Sequence, residues 1–126
     1  MMTPRELALA SLGRVKAGDR DGWLALWEED GIIEDPVGPS PTCPDGKGHR
    51  GKPAIAKFYD DIISTVAMDF KIEQSFECAD EVAVHLAMWV TPKNHAKIAV
   101  EAINVYRRSK NGKLASLRSF WEIPKA

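Results

Sequence analysis

The chain has 126 residues, a length typical of one domain, with 44% hydrophobic and 28% charged residues. That balance is typical of a globular protein and argues against an intrinsically disordered chain. The net charge of −1 argues against non-specific binding of nucleic acid, which needs a basic face to displace counterions. No apolar run approaches the ~20 residues that span a bilayer, so no membrane segment is expected.

The cysteines and the N-terminus bear on the cellular compartment. Cys43 and Cys78 are far apart and form no CxxC pair, so neither a disulfide framework nor a zinc site is expected. Residues 1–6 lack the basic-then-apolar order of a signal peptide. We therefore expect a single domain over residues 1–126, located in the cytoplasm, with no metal and no cofactor.

Three helices are predicted in the N-terminal half. A capping box at residues 3–6 starts the first helix, which ends at Gly18. The second helix is short, with Trp23 and Trp27 on its apolar side. The third begins at Pro53, and its apolar residues follow the spacing i, i+3, i+4, i+7, i+8 and i+11. The residues of that stripe are Ile55, Phe58, Tyr59, Ile62, Ile63 and Val66.

A short strand is predicted between the second and third helices. An Asp-Gly turn at 30–31 leads into this strand, at 32–34. Pro36 cannot donate to a ladder, and it holds Asp35 in an extended conformation. Segment 36–51 carries four prolines and four glycines without periodicity, so we expect one long loop. Loops of this length in compact domains are often functional.

The second half of the chain changes to the period of two that is typical of β-strands. Apolar residues alternate over 70–76 and over 82–90. Two further strands are expected over 97–107 and 113–123, joined by an Asn-Gly hairpin signal. Helices followed by a meander of strands predict an α+β fold, with the helices on one face of an antiparallel sheet.

Three sequence features resemble one known family. They are the segment 32–38, Ile-Ile-Glu-Asp-Pro-Val-Gly, the pair Phe58-Tyr59 after a Gly-rich turn, and the pair Phe120-Trp121 near the end of the chain. Together they resemble the bacterial ketosteroid isomerases, within the nuclear-transport-factor-like or SnoaL-like superfamily. The resemblance covers nearly the whole chain. It implies a cone-shaped, curved, mixed but mainly antiparallel sheet, wrapped by three helices around an apolar pocket.

The resemblance also implies roles for individual residues. Asp35 occupies the place of the general base, which lifts a proton from the carbon beside a ketone and returns it two carbons away. The family stabilises the enolate with a tyrosine on the first helix and a protonated aspartic acid on the third long strand. Ser11 and Asn104 stand at these two positions. Tyr59 matches a supporting tyrosine and is a candidate to act directly, so the expected catalytic residues are Asp35, Asn104 and Tyr59.

The implied pocket would hold a small hydrophobic, steroid-like ligand. Two functions remain open: a steroid isomerase or related enzyme that moves a proton beside a carbonyl, and a non-catalytic binding protein for steroid-like or other small hydrophobic molecules. Dehydration, cyclisation and epoxide hydrolysis are lesser enzymatic alternatives. Ordinary core packing would also explain the apolar positions of the expected lining. By analogy, those lining residues are Ser11, Val82, Val84, Leu86, Met88, Leu117 and Trp121.

The outer face of the expected sheet predicts a homodimer. Trp89, Ile103, Val105 and Phe120 are expected to point away from the pocket. An apolar patch of that kind is rarely left to solvent on a monomer. The family that the chain resembles also usually dimerises through its sheet. His85 is expected on the same outer face, away from the ligand.

Overall fold

The computed structural model describes residues 1–123, which form three helices and six strands. The helices are α1 (Pro4–Ala17), α2 (Arg20–Leu24) and α3 (Lys52–Asp61), with a 3-10 turn at Ile63–Thr65. The strands are β1 (Trp27–Glu34), β2 (His49–Arg50), β3 (Val66–Cys78), β4 (Glu81–Pro92), β5 (Ile98–Arg108) and β6 (Leu114–Phe120). Across this described part, no helix has the length and apolar character needed to cross a membrane.

All six strands belong to one sheet, in the order β2-β1-β6-β5-β4-β3. β1 runs parallel to β6, and the other neighbouring pairs are antiparallel. α1 packs on β3, β4 and β5, whereas α3 packs on β1 and β2. The predicted α+β class, with a mixed but mainly antiparallel sheet, is therefore confirmed. The largest fully buried side chains include Leu7, Trp23, Trp27, Ile33, Ile55, Leu86 and Leu114.

The first helix begins and ends where its capping residues predict. The Thr3 hydroxyl accepts the backbone N–H of Glu6 at 3.1 Å, and the Glu6 carboxylate accepts the backbone N–H of Thr3 at 2.9 Å. Gly18 follows the helix with a φ of 70°, a left-handed conformation that glycine adopts without a Cβ clash. Local chemistry alone is therefore sufficient to define both ends of α1.

The third helix is shorter than its apolar stripe predicts. The stripe continues to Val66, but α3 ends at Asp61, and Ile62 has left the helical region with a φ of −121°. Val66 is already the first residue of β3. The stripe outlasts the helix because Ile62 and Ile63, in the turn, still pack against the same core. Helical spacing therefore does not by itself locate the end of this helix.

The first strand and the loop after it also differ from prediction. Trp27, expected on the second helix, is instead the first residue of β1. The Asp-Gly turn expected at 30–31 lies within this strand, where the pairing with β6 shifts in register between Trp27 and Ile32. Glycine inside a strand often marks such an irregularity. The loop expected over 36–51 contains β2, which pairs with β1.

Phe76 lies on the face of the sheet opposite to the one that simple alternation predicts. The register between β3 and β4 shifts between Ile72 and Gln74, and such a bulge reverses the faces of the residues after it. Phe70 and Ile72 pack against the core, whereas Phe76 is 63% exposed. The predicted alternation is therefore wrong beyond Ile72, and the outer face gains an aromatic side chain.

The burial of Leu86 predicts a large effect on stability. Leu86 is fully buried on β4, and Lys71 on the neighbouring strand is exposed. Leu86→Ala should lower the free energy of unfolding by about 2–5 kcal/mol, because it loses apolar contact and leaves a cavity. Lys71→Ala should stay within about 0.5 kcal/mol of the original protein. Urea denaturation followed by circular dichroism measures both, and equal stabilities would contradict the core position of Leu86.

Candidate active site

The parallel pairing of β1 with β6 places Asp35 beside the end of β6. Glu34, the last residue of β1, lies opposite Arg118. Beyond the strand, the backbone N–H of Val37 donates to the carbonyl oxygen of Ser119 at 2.9 Å. The chain on both sides of Asp35 is therefore held against β6.

The Asp35 carboxylate is half-buried and has two hydrogen-bonding neighbours. The indole N–H of Trp121 donates to Asp35 Oδ1 at 2.6 Å, and the Ser119 hydroxyl lies within reach of the same carboxyl group. Loss of surrounding water raises the pKa of Asp35, and the hydrogen bond from Trp121 opposes part of that rise. A carboxylate whose basicity is raised by desolvation is suited to take a proton from carbon.

Three buried polar side chains on β5 and β6 form a chain of hydrogen bonds that begins next to Asp35. Ser119 Oγ donates to Asn104 Oδ1 at 2.6 Å, and Asn104 Nδ2 donates to the hydroxyl oxygen of Tyr106 at 3.1 Å. Asn104 is 5% exposed, and Ser119 and Tyr106 are each 1% exposed. Asn104 and Ser119 face each other in the register of β5 with β6. We call Asp35, Asn104, Tyr106, Ser119 and Trp121 the polar cluster.

Tyr106 and Ser119 are site residues to which the sequence analysis assigns no role. Burial raises the pKa of the Tyr106 hydroxyl, the hydrogen bond from Asn104 opposes this, and the carboxylate of Asp35 raises it further. The phenol therefore stays protonated at neutral pH and can act as a hydrogen-bond donor. Strand alternation was the available signal, since it places Tyr106 on the face of Asn104 and Ser119 on the face of Trp121. Alternation shows that these side chains share one face of the sheet, but it does not show which of them form hydrogen bonds.

Ser11 and Tyr59 are not joined to the polar cluster by hydrogen bonds within residues 1–123. The Ser11 hydroxyl, buried on α1, accepts the indole N–H of Trp23 at 3.0 Å. The Tyr59 ring packs on the same Trp23, with 5.3 Å between ring centroids. Burial raises the pKa of Tyr59, and the carboxylate of Asp19 raises it further. The structure therefore brings together Asp35, Asn104 and Trp121 but not Ser11 or Tyr59.

Apolar side chains on the inner face of the sheet surround the polar cluster. The register of β4 with β5 places Val84 opposite Asn104 and Val82 opposite Tyr106. On the other side, Leu117 of β6 lies opposite Tyr106. These contacts give the cluster an apolar wall that lowers the local dielectric. Of the expected lining residues on this face, Val82, Val84, Leu86 and Leu117 are buried, and Met88 packs against them partly buried.

An open cavity of ≈ 710 Å³ lies where β6 ends, and Trp121 lines it together with His85, Ile103 and Phe120 of the outer face. Pro36 and Val37, which directly follow Asp35, line one side of it together with Trp121. Residues 99–103 of β5 line the other side, where the pairing with β6 ends. A ligand in this cavity would lie against the indole that donates to Asp35.

The three histidines lie outside the polar cluster. His85 is on the outer face, opposite Ile103, and its Nε2 atom is 3.9 Å from a carboxylate oxygen of Glu101. His49 packs against the ring of Phe58, and His95 is exposed. Within residues 1–123, no group of three or more His, Cys, Asp or Glu side chains is arranged to hold a metal ion.

Comparison with known proteins identifies the family. Residues 9–117 match the family model described as a SnoaL-like domain. The chain therefore belongs to the SnoaL-like domain family, and its three helices and curved six-stranded sheet form the cone fold of the nuclear-transport-factor-like superfamily. No curated protein gave a match.

Several solved structures are similar over nearly the whole chain. RV0760c from Mycobacterium tuberculosis, in complex with estradiol-17beta-hemisuccinate, is 34% identical, with a TM-score of 0.90 over 97% of this chain and 96% of that chain. A Δ5-3-ketosteroid isomerase from Mycobacterium sp. is 35% identical, with a TM-score of 0.89 over 96% and 95%. A computationally designed 17-OHP binder is 32% identical, with a TM-score of 0.91 over 97% and 95%. The family and fold implied by the sequence are thus confirmed.

The raised pKa of Asp35 predicts a dependence of stability on pH. The folded protein holds this proton more tightly than the unfolded chain, so the stabilising contribution is complete below the unfolded pKa of ~3.9. The contribution is lost as the pH rises through the folded pKa. Asp35→Asn removes that loss, so the variant should be more stable than the original protein at neutral pH, with the difference shrinking in acid.

Thermal unfolding across a range of pH tests this expectation. Asp60→Asn is the matched control, because the hydrogen bond from Arg20 lowers the pKa of Asp60. The control should therefore change stability in the opposite direction at neutral pH. An Asp35→Asn variant that is less stable than the original protein at neutral pH would contradict the desolvation of Asp35.

Proposed function

We propose that this protein moves a proton beside the carbonyl group of a steroid-like or polycyclic ligand, with Asp35 as the base. The observation that carries the proposal is the state of Asp35: a half-buried carboxylate with a raised pKa, held by the indole of Trp121. The carboxylate takes a proton from the carbon beside the ketone, and the C–H electron pair forms a carbon–carbon double bond. The carbonyl oxygen becomes an enolate, and Asp35 then returns the proton two carbons away.

Asn104 supports the enolate in this scheme. Its amide nitrogen carries two hydrogens, of which one is committed to Tyr106 and the other is available to the ligand. An amide is a weaker acid than the protonated carboxylic acid that the isomerase family uses at this position, so it stabilises developing charge less well. Loss of one oxyanion donor typically costs ~10²–10³ in rate. A slow isomerase is therefore expected.

The similar proteins support a steroid-like ligand. One is a ketosteroid isomerase, one is in complex with an estradiol derivative, and one was designed to bind 17-OHP. Each shares about a third of its residues with this chain, and each is covered along nearly its whole length.

A second function, non-catalytic binding of steroid-like or other small hydrophobic molecules, is favoured by the position of Ser11. This residue stands where the isomerase family has its tyrosine, and its hydroxyl is committed to Trp23. The first helix therefore presents no phenol to a ligand oxygen. A protein with a weakened set of donors could still hold a ligand of the same shape.

Replacement of Asp35 separates these two functions. Asp35→Asn should lower kcat on a Δ5-3-ketosteroid by ~10²–10⁴, because it removes the base. It should keep or tighten binding of the steroid product, because a neutral amide removes a charge from an apolar site. The appearance of the conjugated enone, followed by absorbance, measures turnover.

Glu34→Gln provides the matched control for this experiment. Glu34 is the preceding residue, and its carboxylate lies 3.3 Å from Arg118 Nε outside the polar cluster. Its replacement should leave kcat unchanged. Full activity of Asp35→Asn would overturn the assignment of the base. An unmodified protein that binds the steroid without converting it would favour the binding function.

We also propose that the chain forms a homodimer through the outer face of its sheet. Phe76, Ile103 and Phe120 are 63%, 42% and 42% exposed. In the register of β5 with β6, Ile103 lies opposite Phe120, and Trp89 and Val105 share the same face by alternation. A patch of exposed apolar side chains on one face of a sheet usually marks an interaction surface. The patch is larger than alternation predicts because the bulge in β3 adds Phe76.

A charge within this patch should disrupt the dimer. Ile103→Glu should convert the protein to a monomer at micromolar concentration, because each copy would bury a carboxylate against an apolar surface. Leu9→Glu is the control, since Leu9 is similarly exposed, at 46%, but lies on α1. Light scattering should report a dimer for the unmodified protein and for Leu9→Glu. A monomer in the unmodified protein would contradict the proposal.

A further inference from the structure

A second open cavity, of ≈ 660 Å³, lies at the end of α1 beside the start of β3. Residues 15–18 of the helix end and residues 66–69 of the strand line it. β3 is an edge strand, and side chains from both of its faces contribute, so the cavity wraps around that edge. Trp89 of β4 lies opposite Asp69 and lines the cavity with it. The polar cluster, which lies wholly within residues 1–123, contributes none of this lining.

One part of the lining is apolar. Val15 of α1, Ile63 of the 3-10 turn and Met68 of β3 contribute aliphatic or thioether side chains, and Trp89 contributes an indole. Tyr59, which the sequence analysis places among the expected catalytic residues, lines this cavity as well. Apolar and aromatic side chains of this kind hold the body of a small molecule in a binding site.

The charged part of the lining carries more cations than carboxylates. Lys16, Arg20 and Lys97 line the cavity, and Asp69 is the carboxylate among the lining residues. Asp60, just outside the lining, accepts hydrogen bonds from Arg20 at 2.7 and 3.0 Å and neutralises that cation. Lys16 and Lys97 then share the single charge of Asp69. One positive charge therefore remains for a ligand.

Asp69 shows how an oxyanion is held beside these lysines. Lys16 Nζ lies 2.8 Å from Asp69 Oδ1, and both side chains are more than half exposed. The hydrogen bond from Lys16 lowers the pKa of Asp69, the backbone N–H of Phe70 lowers it further, and the charge of Lys97 acts in the same direction. An ammonium group has three N–H donors, so Lys16 keeps donors for a second oxyanion. An exposed ion pair contributes little stability, so Asp69 does not prevent Lys16 from binding a ligand.

The end of α1 is compatible with a bound anion. The N–H of Gly18 donates to the carbonyl oxygen of Val15 at 3.1 Å. The N–H of Asp19 donates to that of Arg14 at 2.9 Å. Lys16 lies in the last turn, where a cation offsets the partial negative charge of a helix end. Capping and Lys16 together reduce the repulsion that exposed carbonyl groups would exert on an anion.

We propose that this cavity is a second binding site, which takes a small amphipathic carboxylic acid. The apolar body of the ligand lies against Val15, Met68 and Trp89, and its carboxylate lies between the ammonium groups of Lys16 and Lys97. A neutral apolar molecule would leave the two lysines without an added partner. A small inorganic anion would leave the apolar lining uncovered. Binding here does not involve the polar cluster, so it can be tested apart from the proposed function.

Trp89 and Trp121 distinguish binding at this site from binding beside Asp35. The chain has four tryptophans, so incorporated 5-fluorotryptophan gives four fluorine NMR signals, assigned by replacing each residue with Phe. The probe is octanoate, with octan-1-ol as the neutral molecule of the same chain length. Octanoate should move the Trp89 signal, leave the Trp121 signal in place, and bind roughly tenfold more tightly than octan-1-ol, because its carboxylate pairs with the lysines.

Substitutions of the charged residues test the role of each charge. Lys16→Gln combined with Lys97→Gln should weaken octanoate binding roughly tenfold and leave octan-1-ol binding unchanged. Lys93→Gln is the matched control, because Lys93 is exposed in the same hairpin as Lys97 but lies outside the lining. Asp69→Asn removes the carboxylate that competes for the lysines, so it should tighten octanoate binding by about two- to fivefold. A gain in affinity cannot result from a damaged fold.

Three results would overturn the proposal. They are octan-1-ol binding as tightly as octanoate, an Asp69→Asn variant that binds octanoate more weakly, and octanoate moving the Trp121 signal instead of the Trp89 signal. Movement of the Trp89 signal, with affinities that follow the charges at 16, 69 and 97, would support the site. Each of these readouts is independent of whether the protein converts a Δ5-3-ketosteroid, so a failure here leaves the assignment of Asp35 untouched.

Discussion

The parallel pairing of β1 with β6 is the contact on which the candidate site depends. It joins a strand from the first third of the chain to the last strand, and it brings Asp35 to Trp121 and Ser119. The proline after Asp35 ends the ladder, yet the N–H of Val37 continues the contact with β6. Asp35 lies in a loop, but the backbone on both sides of it is fixed against β6 by these contacts. Asp35 therefore meets Trp121 from a backbone that is held on both sides.

The polar cluster shows how an apolar core can hold a carboxyl group and hydrogen-bonding side chains. Desolvation raises the basicity of Asp35, but an isolated charge in such a place would be too costly to keep. The hydrogen bond from the indole of Trp121 reduces that cost. Asn104 and Tyr106 extend the network to a buried phenol on β5. Burial and hydrogen bonding therefore act in opposite directions on the same group, and their balance sets its pKa.

Features that depend on neighbouring residues were predictable from the sequence, and features that depend on distant strands were not. The capping box at Thr3 and the inward face of Asn104 follow from local spacing alone. The outward position of Phe76 does not, because a bulge is a property of two paired strands. The engagement of Ser11 by Trp23 likewise requires α1 and α2 to be packed together. The resemblance to a family located Asp35, but only packing shows its hydrogen bonds.

Along β5, even-numbered and odd-numbered residues point to opposite faces of the sheet, so substitutions at the two sets have different effects. Asn104 and Tyr106 face the polar cluster, whereas Ile103 and Val105 face outward. Substitutions at the outward positions change the surface and leave the inward side chains in place. Deletion of a single residue would instead exchange the two sets and place an amide and a phenol on the surface. The length of β5 therefore matters more to the polar cluster than the identity of its outward residues.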